Sequence, residues 1–249
     1  MNYLVGDIGN TFIKISILNK NFTIKKSYNL DTQKIHQKKY INIFFKKFLK
    51  NNLNSQVLFS SVVPIAYKII KDYLRKRKFK VFEVKDLNIR KMIKIKIKNF
   101  KQLGSDRIVN AIGTNKYKNF LIIDFGTATT FDIVKNGVYE GGVIAPGINL
   151  SIINLNKFTA LLPLLNLKDK QKNYGKNTKE ALNAGFLWGY EGLVNNIINK
   201  IVRKSRTNYR IILTGGYAKL FKKFIKKKKK IDQNITIKGI AKVLRELLL

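Results

Sequence analysis

The 249-residue chain has no cysteine, one histidine and three prolines, and its 14 acidic side chains face 50 lysines and arginines. Without cysteine there are no disulfides and no thiolate zinc sites. The lone histidine, His36, excludes a histidine-rich metal centre and gives no support to a Ser-His triad. It sits in a lysine-rich stretch and is expected to face solvent. No apolar run approaches the roughly 18–20 residues that a membrane span needs. The first apolar strand, Tyr3-Leu4-Val5, follows Met1 too closely for a cleavable leader. A soluble, cytoplasmic protein with no membrane partner is expected.

Hydrophobic residues make up 45% of the chain, ample for one large core or two ordinary ones. The net charge of +36 is the feature that most invites a nucleic-acid reading. The lysines, however, are spread along the whole chain among Ile, Asn, Phe and Tyr. Lys, Ile and Asn all have A+T-rich codons, and a base-composition bias explains the pattern without a polyanionic partner. No specific nucleic-acid partner is therefore expected, only weak, salt-sensitive attraction.

Two short stretches carry nearly the same pattern: Val5-Gly6-Asp7-Ile8-Gly9-Asn10-Thr11 and Ile123-Asp124-Phe125-Gly126-Thr127-Ala128-Thr129. Each is an apolar strand ending in Asp-x-Gly, then short hydroxyl or amide residues, then a second apolar strand. Glycine at the turn lets backbone N–H groups approach a polyanion with no Cβ in the way. Asn10, Thr11, Thr127 and Thr129 add short donors. Asp7 and Asp124, at strand ends, are placed to hold a cation against phosphate oxygens. Two such loops, one in each half, read as a clamp on ATP from both sides of a cleft. There is no Walker A lysine motif, so these loops must do the phosphate binding.

The pattern along the chain predicts strands at Tyr3–Val5, Phe12–Leu18, Phe22–Tyr28, Val57–Val63 and Lys80–Val84, with helices over Ile35–Leu49 and Ile65–Leu74. The Ile/Lys alternation of Met92–Lys98 predicts a half-buried strand, and Asp106–Asn115 a helix. The second half repeats the plan. A hairpin over Phe120–Asp124 and Thr130–Val134 leads through the Asn136-Gly137 turn signal to Val138-Tyr139-Glu140. The glycine-rich Gly141–Gly147 reads as a loop. Helices follow at Ile148–Phe158, Thr178–Ile201 and Tyr217–Phe224, with a strand at Arg210–Leu213 and a solvated turn at Lys226–Lys230. The repeat divides the chain into halves 1–115 and 116–249.

Phosphoryl transfer needs a group that orients and deprotonates the acceptor hydroxyl. The best candidate lies in Leu103-Gly104-Ser105-Asp106-Arg107, where a loop enters a helix and free N–H groups favour an anion. Arg107 can fork onto a substrate carboxylate while Asp106 takes the hydroxyl proton. An Asp at this place is equally a helix cap.

Taken in order, these residues resemble the type III pantothenate kinase family nearly end to end. The opening Asp7-Ile8-Gly9-Asn10-Thr11 is similar to that family's Asp-x-Gly-Asn-Thr, and Gly104-Ser105-Asp106-Arg107 to its Gly-x-Asp-Arg, with Asn110 following. Asp124–Thr130 matches the second phosphate loop. Gly141-Gly142 to Pro146-Gly147, Asn177-Thr178 with Ala184-Gly185, Thr214-Gly215-Gly216 and the stretch Asp232–Gly239 complete the series.

The resemblance implies an α/β fold of two duplicated ribonuclease H-like domains of the actin, Hsp70 and sugar-kinase type around a nucleotide cleft. It implies ATP-dependent phosphorylation of pantothenate, the first step towards coenzyme A. Carried over by position, Asp106 is the general base. Asp7, Gly9, Asn10, Thr11 and Thr127 hold ATP, with Asp7 also serving Mg²⁺. Asp124 holds a monovalent cation, K⁺ or NH₄⁺, and Gly104, Ser105, Asp106, Arg107 and Thr178 surround pantothenate. A homodimer is implied too. The chain departs from the family where a substrate-contacting Tyr is replaced by Ile97 and an Asn-Pro reads Asn99-Phe100. The first change removes a polar contact worth roughly 0.5–1.5 kcal/mol. Two other readings stay open on the residues alone. One is a kinase of the same superfamily acting on another small alcohol. The other is a non-catalytic regulatory or nucleic-acid-binding protein on the same scaffold.

Overall fold

The structure is a computed structural model that describes residues 1–49, 52–114, 118–170 and 173–249. The first strands and helices are β1 (Asn2–Ile8), β2 (Phe12–Leu18), β3 (Ile24–Asp31), α1 (Lys38–Lys46), β4 (Leu53–Ser61), α2 (Pro64–Arg75), β5 (Lys80–Glu83), β6 (Lys94–Ile95) and α3 (Ser105–Ile112). They continue as β7 (Phe120–Phe125), β8 (Ala128–Lys135), β9 (Val138–Pro146), α4 (Ile148–Lys157), α5 (Thr178–Ser205), β10 (Arg210–Gly215), α6 (Ala218–Phe221), β11 (Lys229–Ile231) and α7 (Ile235–Leu247). The contacts divide the chain into two compact units: Met1–Lys116 with Gly137–Tyr139 and Asn234–Leu249, and Tyr117–Asn136 with Glu140–Gln233.

In the first unit a sheet runs in the order β3-β2-β1-β4-β5. β1, β2 and β3 form an antiparallel meander, and β4 and β5 lie parallel to β1. The division follows from connection length. Short turns can only join antiparallel neighbours, whereas α1 and α2 supply the long crossovers that parallel neighbours need. Ile41, Phe44, Phe45 and Phe48 recur at helical spacing from α1 into the turn beyond it. Their stripe packs with Ile13, Ile15, Val57 and Phe59 of the sheet. Phe45 and Phe48 are fully buried, each worth roughly 2–3 kcal/mol over exposure.

The second unit repeats the pattern in the order β11-β10-β7-β8-β9. β7 and β8 are antiparallel, β10 is parallel to β7, and β11 is parallel to β10. β7 thus stands where β1 stands in the first unit, and β10 where β4 stands. Each unit has the ribonuclease H-like plan. β9 opens with Val138 and Tyr139, which are counted with the first unit and pair in parallel with β6. The Asn136-Gly137 turn before it has both residues left-handed, as its sequence requires. A core of Leu121, Ile123, Phe131, Val194, Ile198 and Phe221 packs α5 and α6 onto this sheet.

Several expectations are corrected. The Gly141–Gly147 stretch is not a loop: β9 runs through it to Pro146, because backbone pairing needs no side chains. The alternating Met92–Lys98 segment pairs only at Lys94–Ile95, preceded by a 3₁₀ turn at Ile89–Lys91. Lys229–Ile231, part of the expected lysine turn, is an edge strand, where lysines keep their heads in water. The helix expected over Ile35–Leu49 is split, with a 3₁₀ turn at Thr32–His36 before α1. α7, which the pattern reading did not mark, packs against α3, β1 and β4 of the first unit. The sequence division had put that helix in the second half. Asn115, the expected end of the α3 helix and of the first half, lies outside the described residues.

Candidate active site

The turn between β1 and β2 is fixed from below. The Gly9 N–H donates to the Phe12 carbonyl at 3.0 Å, and the Thr32 N–H donates to the Thr11 carbonyl at 3.0 Å. The Thr32 hydroxyl donates to the Gly9 carbonyl at 2.7 Å. Asn10 and Thr11 are left exposed at the tip. Asp7, one strand residue earlier, pairs in register with Lys14 on β2 and Ser60 on β4. Burial and then the negative charge of Asp106 push its carboxyl up to about 7, and the Ser60 hydroxyl and the Lys14 ammonium draw it back. Lys14 also donates to the Asn234 side chain at 2.8 Å.

Asp106 lies on the first turn of α3, as the loop-to-helix reading expected. Its Oδ1 accepts the Arg107 N–H at 2.8 Å and folds back over Gly104. Burial raises its pKa, while the Arg107 N–H, the Arg107 guanidinium, its own N–H and the Lys85 ammonium act the other way. The Arg107 guanidinium lies 6.0 Å from the ring of the buried Tyr139. Ser105 is fully buried and bonds both backbone groups of Ser61: its hydroxyl donates to the carbonyl at 2.7 Å and accepts the N–H at 2.9 Å. Glu83, only 9% exposed, accepts from the Ser61 and Lys85 N–H groups, and burial raises its pKa.

The second unit repeats the loop. The Gly126 N–H donates to the Ala128 carbonyl at 3.1 Å, and Gly126 and Thr127 are exposed at the tip. Asp124 is partly buried at the end of β7, in register with Thr130. Gly215, left-handed at φ 85°, lies so close that a Cβ there would sit 2.5 Å from the Asp124 carboxylate. Thr129, in the same hairpin, has a buried hydroxyl with no hydrogen-bond partner among the described residues. Thr178 opens α5 behind Asn177, whose side chain caps the Glu180 N–H at 3.0 Å. It lines an apolar cavity of about 620 Å³ with Leu155, Leu162, Ala181, Phe186 and Tyr190.

The structure therefore brings Asp7 and Asp106 into electrostatic contact and places Gly104, Ser105 and Arg107 beside Asp106. In the second unit Asp124 and Thr127 share one hairpin, while the cavity lining includes Thr178 and neither of those two. Ser60, Thr32, Glu83 and Lys85 support the site and were missed. Only Thr32 had a readable signal, a hydroxyl just after a strand. Among the described residues no three His, Asp or Glu side chains cluster as a metal site.

Two ribonuclease H-like units, each with a glycine turn after a strand-end aspartate, give the chain the actin, Hsp70 and sugar-kinase fold. Solved structures agree. A Campylobacter jejuni chain named as a candidate Baf family transcriptional activator is similar at a TM-score of 0.63 and 19% identity over 98% of both chains. An Acidaminococcus fermentans (R)-2-hydroxyglutaryl-CoA dehydratase component A is similar at 0.55 and 12% identity, over 97% of this chain and 95% of that one. At these identities the likeness shows the fold. The type III pantothenate kinase family model matches residues 3–200, and the chain belongs to that family. A Pelagibacter ubique type III pantothenate kinase is 45% identical over 96% of this chain and 97% of its own. One from Paramagnetospirillum magneticum is 31% identical over 96% and 95%. No helix among the described residues is long and apolar enough to cross a membrane.

Proposed function

We propose that Asp106 is the general base of the reaction that family membership gives this chain, the ATP-dependent phosphorylation of pantothenate to 4′-phosphopantothenate in coenzyme A biosynthesis. The observation that carries the proposal is the environment of the carboxylate. Burial makes it a stronger base, while the Arg107 N–H, the Arg107 guanidinium and the Lys85 ammonium pull in the other direction. Arg107 takes the substrate carboxylate, Gly104 and Ser105 shape the turn beside the reacting hydroxyl, and Thr178 contributes from α5. Asn10, Thr11 and Thr127 donate to the ATP phosphates from their hairpin tips, and Gly9 lets the phosphates approach that backbone with no Cβ in the way.

Asp7 fits a divalent cation. It is a carboxyl driven up to about 7 by burial and by a second carboxylate, which is the situation a cation relieves. Mg²⁺ commonly takes one or two carboxylates and completes its shell with phosphate oxygens and water, so the absence of a three-residue cluster is no obstacle. Bound there, Mg²⁺ would neutralise charge on the transferring phosphoryl group. Asp124, partly buried at the end of β7 beside the second glycine turn, would hold the monovalent cation, K⁺ or NH₄⁺. The reading includes a cytoplasmic location, supported by the need for ATP.

A homodimer belongs to the same reading. Around the apolar cavity the second unit exposes Leu150, Ile153, Phe158, Leu161 and Trp188. Large apolar side chains exposed on one unit are what a contact with a second copy would cover. ADP release with ATP, Mg²⁺ and pantothenate, in potassium and in sodium, tests the chemistry. Pantothenate-dependent turnover that needs potassium is expected, and Asp124→Asn should abolish the potassium effect. Turnover indifferent to pantothenate would overturn the substrate, and equal rates in both salts the role of Asp124.

A further inference from the structure

A base must lie within about 2.6–3.2 Å of the proton it takes. A displacement of about 1 Å can cost about a hundredfold in rate. Asp106 cannot set its own position, because its carboxylate folds back over Gly104 and so follows wherever the turn before α3 is held. Two side chains, one at the end of β5 and one just after it, hold that turn on either side of Gly104.

On one side the Lys85 ammonium donates to the Lys101 carbonyl at 2.8 Å and to the Leu103 carbonyl at 3.0 Å. These are the last stretches of backbone before Gly104. Charge-assisted bonds of this kind are roughly twice as strong as neutral ones. The same ammonium lies 5.8 Å from the Phe100 ring, and the Arg90 guanidinium lies 5.4 Å from it. Asn99 accepts the Lys101 N–H at 3.0 Å, closing the 3₁₀ turn Phe100–Gln102.

On the other side Glu83 takes the Lys85 N–H on Oε2 at 2.6 Å and the Ser61 N–H on Oε1 at 3.3 Å. That Ser61 N–H is shared with the Ser105 hydroxyl, which returns a bond to the Ser61 carbonyl. The first residue of α3 is thereby tied to the ends of β4 and β5. One short connector thus grips the turn on both sides of Gly104.

We propose that Lys85 and Glu83 are positioning residues for phosphoryl transfer: they fix the Lys101–Arg107 turn and with it the Asp106 carboxylate and the Arg107 fork. The inference rests on Asp106 being the base. Its tests are Lys85→Met, Glu83→Gln and Lys85→Arg, each followed by steady-state kinetics and by amide hydrogen exchange along the chain. The methionine keeps the length of the lysine stem and removes the donors. The glutamine replaces an acceptor with a donor facing an N–H. Arginine keeps a charged head with several donors.

Lys85→Met and Glu83→Gln should lower kcat with pantothenate about 10–100-fold while the KM for ATP changes less than about twofold. Exchange should quicken in 101–107 and stay unchanged in the β7–β8 hairpin. Lys85→Arg should recover most of the rate. Unchanged kcat and unchanged exchange in 101–107 would overturn the proposal, and so would exchange that quickens equally in both units. If wild-type protein does not phosphorylate pantothenate, the reading of the function fails by itself. The exchange pattern of 101–107 then still decides whether these two residues hold the turn.

Discussion

Asp7, at the end of β1, and Asp106, on the first turn of α3, repel one another, and that repulsion adds to burial in lifting the Asp7 carboxyl from 3.8 to about 7. The lift has a thermodynamic consequence. Between those two values the folded chain binds a proton that the unfolded chain has released, so stability is full below the lower value and falls as pH rises through the upper one. For metal-free protein the loss from this group is on the order of a few kcal/mol by pH 8. Urea unfolding at pH 5 and pH 8 measures it. Asp7→Asn should lose less stability over that range than wild type and be the more stable of the two at pH 8. Equal losses would show that Asp7 titrates normally.

Replacing Asp106 with Asn removes the proposed base and keeps the shape. Turnover should fall about 10²–10⁴-fold, the usual contribution of a positioned base. ATP binding should persist in calorimetry, because the hairpin turn at Gly9, Asn10 and Thr11 is untouched. The variant should also ionise Asp7 more readily, since the neighbouring charge is gone. Wild-type turnover in Asp106→Asn would remove this residue from the chemistry.

The two hairpin turns and the loop-to-helix turn at Asp106 were legible because they rest on local chemistry. Asp-x-Gly after an apolar strand fixes a turn and a strand-end carboxylate at once, and its repetition exposed the duplication. The supporting contacts were not legible, for two physical reasons. Lys85 is one of 50 basic side chains, and nothing in its neighbourhood marks it as the one that bonds two backbone carbonyls. Glu83 and Ser105 meet through a register between β4, β5 and α3 that only the folded chain defines. The later part of β9, from Gly141 to Pro146, escaped notice for the opposite reason. Its glycines argue against a strand by propensity, and sheet pairing overrides propensity. α7 has a buried stripe of Ile235, Ile240, Val243 and Leu244, but no acidic first turn and no side-chain cap announces its start.

That helix governs the base from behind. Gly239 of α7 lies against the Val109 carbonyl of α3 so closely that any Cβ would overlap it. The Thr236 hydroxyl donates to the Asn110 side chain at 2.8 Å, and the Lys242 ammonium donates to the Ile112 and Thr114 carbonyls at 3.0 and 2.9 Å. Gly239→Ala gains about 1 kcal/mol of helix propensity. It must also force two backbones apart, which costs about 1–3 kcal/mol in a packed site. The overlap should prevail: lower stability in urea, and a drop in turnover beyond what the unfolded fraction explains, because α3 carries Asp106. A variant as stable as wild type would mean that α7 can slide without cost.

The proposed homodimer can be tested through the single tryptophan. Trp188 is 45% exposed on α5, on the same unit as Phe158 at 76% and Leu161 at 90%. An apolar surface of this kind is stabilised by burial at roughly 25 cal/mol per Å², and a stable interface typically buries about 1,200–2,000 Å² in all. If a second copy covers this face, Trp188 passes from water to protein on association. Its emission should move to the blue as concentration rises, in step with the doubling of mass seen by sedimentation. Leu161→Glu puts a charge into the covered area and should hold the chain as a monomer with red-shifted emission at every concentration. Turnover lost together with the dimer would make the interface part of the active enzyme. A doubling of mass that leaves Trp188 emission unmoved would place the interface elsewhere on the surface.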